Sequence, residues 1–172
     1  METRISSAAR EVIIGDGRLT VLIGERINPT GKKKMAEALQ AGNLKVVCQE
    51  ALPQVDAGAD VIDVDVSTHG VDEVTLLPRT VKVVMGVVDV PLYLDSANAG
   101  ALEAALKIYS GKSLINSVTG EEQSLAKVLP LVKEYKTAVV GLVQDDEGIP
   151  NDSDRILPAA SEVVRWIRAE NE

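Results

Sequence analysis

Five short apolar runs, each ending in polar or glycine-bearing residues, recur along this 172-residue chain: TVLIGERIN from Thr20, ADVIDVDVSTHG from Ala59, VPLYLDSAN from Val90, KSLINSVTG from Lys112 and TAVVGLVQDDEG from Thr137. Near-continuous apolar character, in place of strict alternation, is the mark of strands buried on both faces, as in parallel sheets. Their starts lie roughly 20 to 40 residues apart, the period of β/α units whose right-handed crossovers keep all strands parallel. Stretches with helical spacing separate them. Leu44, Val47, Ala51 and Val55 share one face before Gly58, and Ala101, Ala104, Ala105 and Ile108 do so before Gly111. Glu121 to Glu134 carries Leu125, Val128, Leu129 and Val132 on one face, with Pro130 able to bend it. A last helix has Ala160, Val163, Val164 and Ile167 in phase, with Pro158 tolerable only in its first turn and Asp154 or Ser153 as N-cap.

This order predicts a single α/β domain over 1–172, built from five β/α units with parallel strands and derived from a TIM (β/α)8 barrel. A complete barrel usually needs about 250 residues, so the last three units are absent. Two architectures satisfy the pattern: a partial barrel, or an open sheet rearranged in the Rossmann or flavodoxin manner. Five strands cut from a barrel leave two open edges and an apolar inner face, which pairing with a second copy or rearrangement would cover. The stripe on the last helix, with Trp166 beside it, is wide enough to cover a sheet face. That favours rearrangement, with this helix over the former barrel interior and a switch point in the strand order. Ahead of the first run, Asp16 and Gly17 sit between VII and TVLI and predict a hairpin that caps the barrel bottom.

Composition excludes several function classes. Eighteen basic against twenty-six acidic residues give a net charge of −8, which opposes phosphate neutralisation, so nucleic acid is not an expected partner. No run approaches the roughly 18 apolar residues of a membrane span, and the polar start lacks a secretory apolar region. Cys48 is the only cysteine, so neither an internal disulfide nor a paired-cysteine zinc cage can form, and a reducing cytoplasm fits. No metal and no tightly bound cofactor are expected. The core must be Val, Ile, Leu and Ala, because Phe is absent.

In barrels and open parallel sheets alike, ligands bind at the carboxyl ends of the strands. Those ends carry Glu25, Arg26 and Asn28; Asp63 and Asp65; Asp95, Ser96 and Asn98; Asn116 and Ser117; and Gln144, Asp145 and Asp146. Such a rim of carboxylates and amides suits a small heterocycle with several N–H donors. Structural roles compete with this reading. Asp95 and Asn98 are also the residue types that cap a helix starting near Ala99, and Asn116 is also a turn residue. Asp63 and Asp65 alternate with Val64 and Val66 and so point to one side, where two carboxylates repel unless hydrogen-bonded, protonated or bridged by a cation. His69, the only histidine, reads as a loop residue, and Cys48 as a small residue on a helix. Lys32, Lys33 and Lys34 read as a solvated helix start, although they could attract a polyglutamate tail or a phosphate.

The ordered strand-end motifs IGERINPTGKKK, DVIDVDVSTHG, LYLDSAN, LINSVTGEE and VVGLVQDDEGIPNDSDR resemble those of the pterin-binding methyltransferase family. The likeness is to methyltetrahydrofolate:corrinoid/iron–sulfur protein methyltransferase, with the folate-binding domain of cobalamin-dependent methionine synthase and dihydropteroate synthase as more distant kin. The resemblance implies a barrel that holds methyltetrahydrofolate at its carboxyl rim and passes the methyl group to a cobalamin-type corrinoid on a partner protein. By motif, it puts the family's pterin-binding aspartate on Asp95 and its pterin-binding asparagine on Asn116. Asp63, Asp65, Asn28 and Ser96 complete the expected substrate-binding set, with catalytic residues unassigned. Two departures stand out: Asp65 replaces an amide, and Ser67 replaces a glycine. Later strands that carry further pterin contacts in the family are absent, and ILPAASEVVRWIRAENE fits it poorly. The expectation is therefore a pterin-binding domain that is catalytically incomplete alone, the alternative being an engineered α/β scaffold of that descent without activity.

Overall fold

A computed structural model describes residues 2–144, 148–150 and 152–171. The chain opens with an antiparallel hairpin, β1 (Glu2–Ser6) and β2 (Glu11–Gly15), in register from Glu2 opposite Gly15 to Ser6 opposite Glu11. Its turn is Ser7 to Arg10, where the Ser7 hydroxyl oxygen accepts the Ala9 and Arg10 amides. The hairpin expected about Asp16 and Gly17 is not formed. Gly17 does take a left-handed φ of 73°, but the segment after it leaves the ribbon and enters the main sheet. A local turn signal marks a reversal and cannot tell which flanking segments will pair.

After the hairpin come β3 (Ile23–Ile27), α1 (Lys33–Gln40), α2 (Lys45–Asp56), β4 (Val61–Asp65), α3 (Glu73–Met85), β5 (Leu92–Asp95) and α4 (Ala99–Leu106). The chain continues through β6 (Leu114–Thr119), α5 (Glu122–Tyr135), β7 (Ala138–Leu142) and α6 (Ser153–Asn171). Strands β3 to β7 form one parallel five-stranded sheet in sequential order. This is the partial-barrel alternative. The rearranged order with a switch point is overturned, because each crossover simply lays its strand beside the previous one.

Alternation along the strands sorts the core into two layers. Ile62, Val64, Leu92, Leu94 and Ile115 face outwards into the helices, within a cluster that includes Leu77, Val81, Leu102 and Leu129. Val61, Tyr93, Leu114 and Ala138 face inwards and meet Ile5 and Val12 of the hairpin. This hairpin, and not the one expected about Asp16 and Gly17, therefore closes the bottom of the partial barrel. Tyr109 fastens it by donating its hydroxyl hydrogen to the Ser6 carbonyl (3.0 Å), and Arg10 pairs with Asp60 (3.0 Å).

The last helix departs from expectation. A Cβ on Gly141 would lie 2.6 Å from Val163 and 3.1 Å from Ile167, and Gly141 is on the outward face of β7, so α6 docks outside the sheet beside α5. It does not cover the barrel interior. A glycine at the closest approach lets the Val163–Ile167 stripe sit directly on the strand, a feature that the helix's own pattern cannot reveal. Its cap is Asp152, whose carboxylate accepts the Arg155 amide (2.9 Å), and not Ser153 or Asp154. Pro158 consequently lies beyond the first turn. No described helix is long and apolar enough to cross a membrane.

Candidate functional site

Asp63 and Asp65 share the inward face of β4 with Val61, Asp95 follows Tyr93 on β5, and Asn116 follows Leu114 on β6. The parallel registers then align these positions in rows. Asp65 pairs with Asp95 and Asp95 with Asn116, forming the upper row, while Asp63 pairs with Tyr93 one layer deeper. The ladder from β6 to β7 is interrupted between Ile115 and Val118, so Asn116 and Ser117 leave that register while Asn116 stays paired with Asp95. The Asn116 side chain lies next to the Asp95 carboxyl and acts to lower its pKa. Asp95, Ser96, Asn116 and Ser117 line one open cleft of about 310 Å³, walled on its far side by Gln123, Ser124 and Lys127 of α5.

Burial and like charge shape this site. Asp63 is 1% exposed, and neither carboxylate oxygen has a hydrogen-bond partner among the described residues. Burial first, then the charges of Asp95, Glu25 and Asp65, push its pKa up to about 8, with Lys32 opposing. Asp63 is therefore a neutral acid at neutral pH, which resolves the repulsion that two inward carboxylates pose. Asp95 is raised to about 6 by burial and by Asp65 and Glu25, with the Asn116 side chain pulling the other way. Asp65 is also raised by burial, although its carboxylate accepts the Ser67 amide at 2.6 Å. No group of three or more His, Cys, Asp or Glu is arranged to hold a metal ion among the described residues.

The other rim residues divide by role. Asn98 is the N-cap of α4, accepting the Gly100 and Ala101 amides, as its position before an alanine-rich helix suggests. Asn28 accepts the Thr30 amide (2.8 Å) in the loop after β3, and Gln144 donates to Glu121 (3.0 Å). Arg26 points outwards to Glu50 of α2, whereas the Glu25 charge is felt at Asp63, Asp65 and Asp95. Lys32 donates to the Glu25 and Arg26 carbonyls, and Lys33 begins α1. His69 is in a loop, its carbonyl accepting from Gln40, and Cys48 is half-buried on α2. Asp145 and Asp146 lie outside the described residues.

Glu73 is the residue that the strand-end reading missed. It opens α3, and its Oε2 accepts the Ser96 hydroxyl at 2.6 Å and the Ser67 hydroxyl at 3.3 Å. The signal was available: Leu76, Leu77, Val81 and Val84 define a helix whose first turn must reach the rim. Carboxylates at a helix start can face the site as readily as those at a strand end.

The chain matches the family described as pterin binding enzyme over residues 24–172. It belongs to the pterin-binding enzyme family. The match runs through α6, so the last helix is not the poor fit that its sequence suggested. It also favours a pterin-binding domain over an inactive scaffold. The chain is 29% identical to methionine synthase of Mycobacterium tuberculosis and 28% identical to that of Mycobacterium leprae, each over 96% of this chain. It spans only 14% of the length of these relatives. Among solved structures it resembles dihydropteroate synthase from Vibrio fischeri, with a TM-score of 0.65 and 18% identity over 98% of this chain and 62% of the other. The Xanthomonas albilineans dihydropteroate synthase follows at 0.58 and 19%, over 99% of this chain and 69% of the other. At that identity the likeness is one of fold, that of a dihydropteroate synthase barrel.

Proposed function

We propose that the cleft at the carboxyl ends of β5 and β6, with the adjoining end of β4, binds the pterin of a folate, with methyltetrahydrofolate as the substrate. The observation that carries this reading is the Asp95–Asn116 pair, side by side on the inner face of a chain in the pterin-binding enzyme family. A carboxylate accepts two parallel N–H bonds from an amino-pyrimidinone edge, and the neighbouring amide offers one donor and one acceptor. Asp65 and Asn28 extend the polar rim, and Asp63 lies beneath it. Ser96 contributes from a position where its hydroxyl is already engaged.

Catalytic roles belong to the complete enzyme. The resemblance of the strand-end motifs to corrinoid-dependent methyltransferases supports transfer of the methyl group to a corrinoid on a partner protein or domain. This chain would supply substrate recognition as a single cytoplasmic domain. The exposed edges of β3 and β7 would be covered by further β/α units or by a second copy in a homodimer. Direct binding is the appropriate test. Calorimetric titration with methyltetrahydrofolate, alongside the rise in melting temperature that a native-state ligand must produce, should show saturable binding that Asp95→Ala removes. Equal binding by both proteins would refute this assignment.

A further inference from the structure

Each site loop must be held against its neighbour, because Asp65, Asp95 and Asn116 come from three strands and precede three different loops. One side chain links them. Glu73 Oε2 takes the Ser96 hydroxyl from the loop after β5 and the Ser67 hydroxyl from the loop after β4. Ser67 in turn donates its amide to Asp65 (2.6 Å). Ser96 donates its amide to the Asn116 carbonyl (3.3 Å), and its hydroxyl oxygen accepts the Asn98 amide (3.0 Å). Ser96 is buried, so each of its polar groups needs such a partner. Glu73 thus sits at the centre of a network in which one bond leads to Asp65, one to the α4 cap and one to Asn116.

We propose that Glu73 is a positioning residue of the pterin site, holding Ser96 so that Asp95 and Asn116 keep the spacing that a pterin edge requires. This rests on the pterin reading above. A first-turn glutamate is ordinarily explained by the helix dipole, and Asp72 already caps this helix through the Val74 amide. The dipole does not account for a carboxylate that reaches 23 residues along the chain to a buried serine on the next unit. Its charge is also felt in the site. Glu73 helps to raise Asp95 together with Asp65 and Glu25, and it raises Asp65 together with Glu25. Asp63 and Tyr93 lie one layer below, with Lys32 facing Asp63.

Two variants separate geometry from charge. Glu73→Gln keeps an oxygen that can accept from Ser96 and loses the charge, whereas Glu73→Ala loses both. With 6-methylpterin as probe, Glu73→Ala should bind about tenfold more weakly or worse, and Glu73→Gln should recover most of that loss. In the ligand-free proteins, the Ser96 and Asn98 amides should exchange with solvent about tenfold faster or more in Glu73→Ala, with the Leu94 amide unchanged. In Glu73→Gln the NMR titration of Asp95 should move to lower pH while Ser96 exchange stays as in the wild type. Unaltered exchange at Ser96 in Glu73→Ala, or equal pterin affinity in all three proteins, would overturn the proposal. A general loss of melting temperature with no selective change at Ser96 and Asn98 would reduce Glu73 to a helix-start residue. Failure of the wild type to bind 6-methylpterin would count against the pterin reading, while the exchange measurement judges the Glu73 link independently.

Discussion

Asp95 and Asn116 are direct partners across the β5–β6 ladder, both on the inner face of the sheet. The ladder fixes the spacing of the two positions through the backbone, which removes part of the ordering cost of binding. Asp95→Ala should lower pterin affinity on the order of a hundredfold, because two charge-assisted bonds are lost together. Calorimetry measures this directly. Without ligand, the melting temperature of the variant should not fall, since burial already disfavours the charge on Asp95.

Asp63 sets a pH dependence of stability. Its folded pKa of about 8 exceeds the ordinary 3.8, so between these values the native state holds a proton that the unfolded chain has released. Stability is then fullest below about pH 4 and declines as pH rises through 8. Asp95, raised to about 6, adds to the same slope at lower pH, and Asp65, raised too, acts in the same direction. Asp63→Asn should flatten the upper part of the profile and be more stable than the wild type at pH 8 by on the order of 2 kcal/mol. Thermal melts at pH 5 and pH 8 check this, and parallel profiles for the two proteins would sink it.

Gly111 is where the bottom hairpin meets the loop before β6. Its φ is 136°, and a Cβ there would run into the Ser6 carbonyl, which accepts the Lys112 amide at 2.9 Å. Gly111→Ala should therefore destabilise the chain by about 2–4 kcal/mol, through backbone strain and loss of hairpin docking together. Urea denaturation gives the value, and a cost under about 0.5 kcal/mol would be inconsistent with this contact.

Inward positions should differ in cost according to height. Leu114 is 4% exposed beneath the hairpin, whereas Val140 and Leu142 on the edge strand are 36% and 41% exposed. Leu114→Ala should cost about 2–4 kcal/mol, and Val140→Ala less than about 1 kcal/mol. If denaturation of dilute protein showed equal costs, something would have to cover β7 in solution.

Much of this protein is legible in its sequence, because the information is local. The β/α period and the strand faces follow from spacing alone. So does the shared face of Asp63 and Asp65, since alternation in a strand is fixed by backbone geometry, although only the fold makes that face the inner one. Asn98 as a helix cap follows in the same way.

What the sequence left open depends on contacts between distant residues, and only the tertiary structure decided it. Strand order is one such case: nothing within a run states its neighbour, and the sequential order emerges from how the crossovers lie. The outward seat of α6 depends on Gly141 meeting Val163 across a strand–helix interface. The hairpin register depends on Ile5 and Val12 finding the inner layer around Leu114. At the site, a carboxyl's charge state depends on burial and on its neighbours' charges, neither of which can be read from the residue itself. Asp63 is therefore recognisable in sequence as an aspartate that shares a strand face with Asp65, but only its burial without a partner makes it a neutral acid, and only the fold brings Glu73 to Ser96.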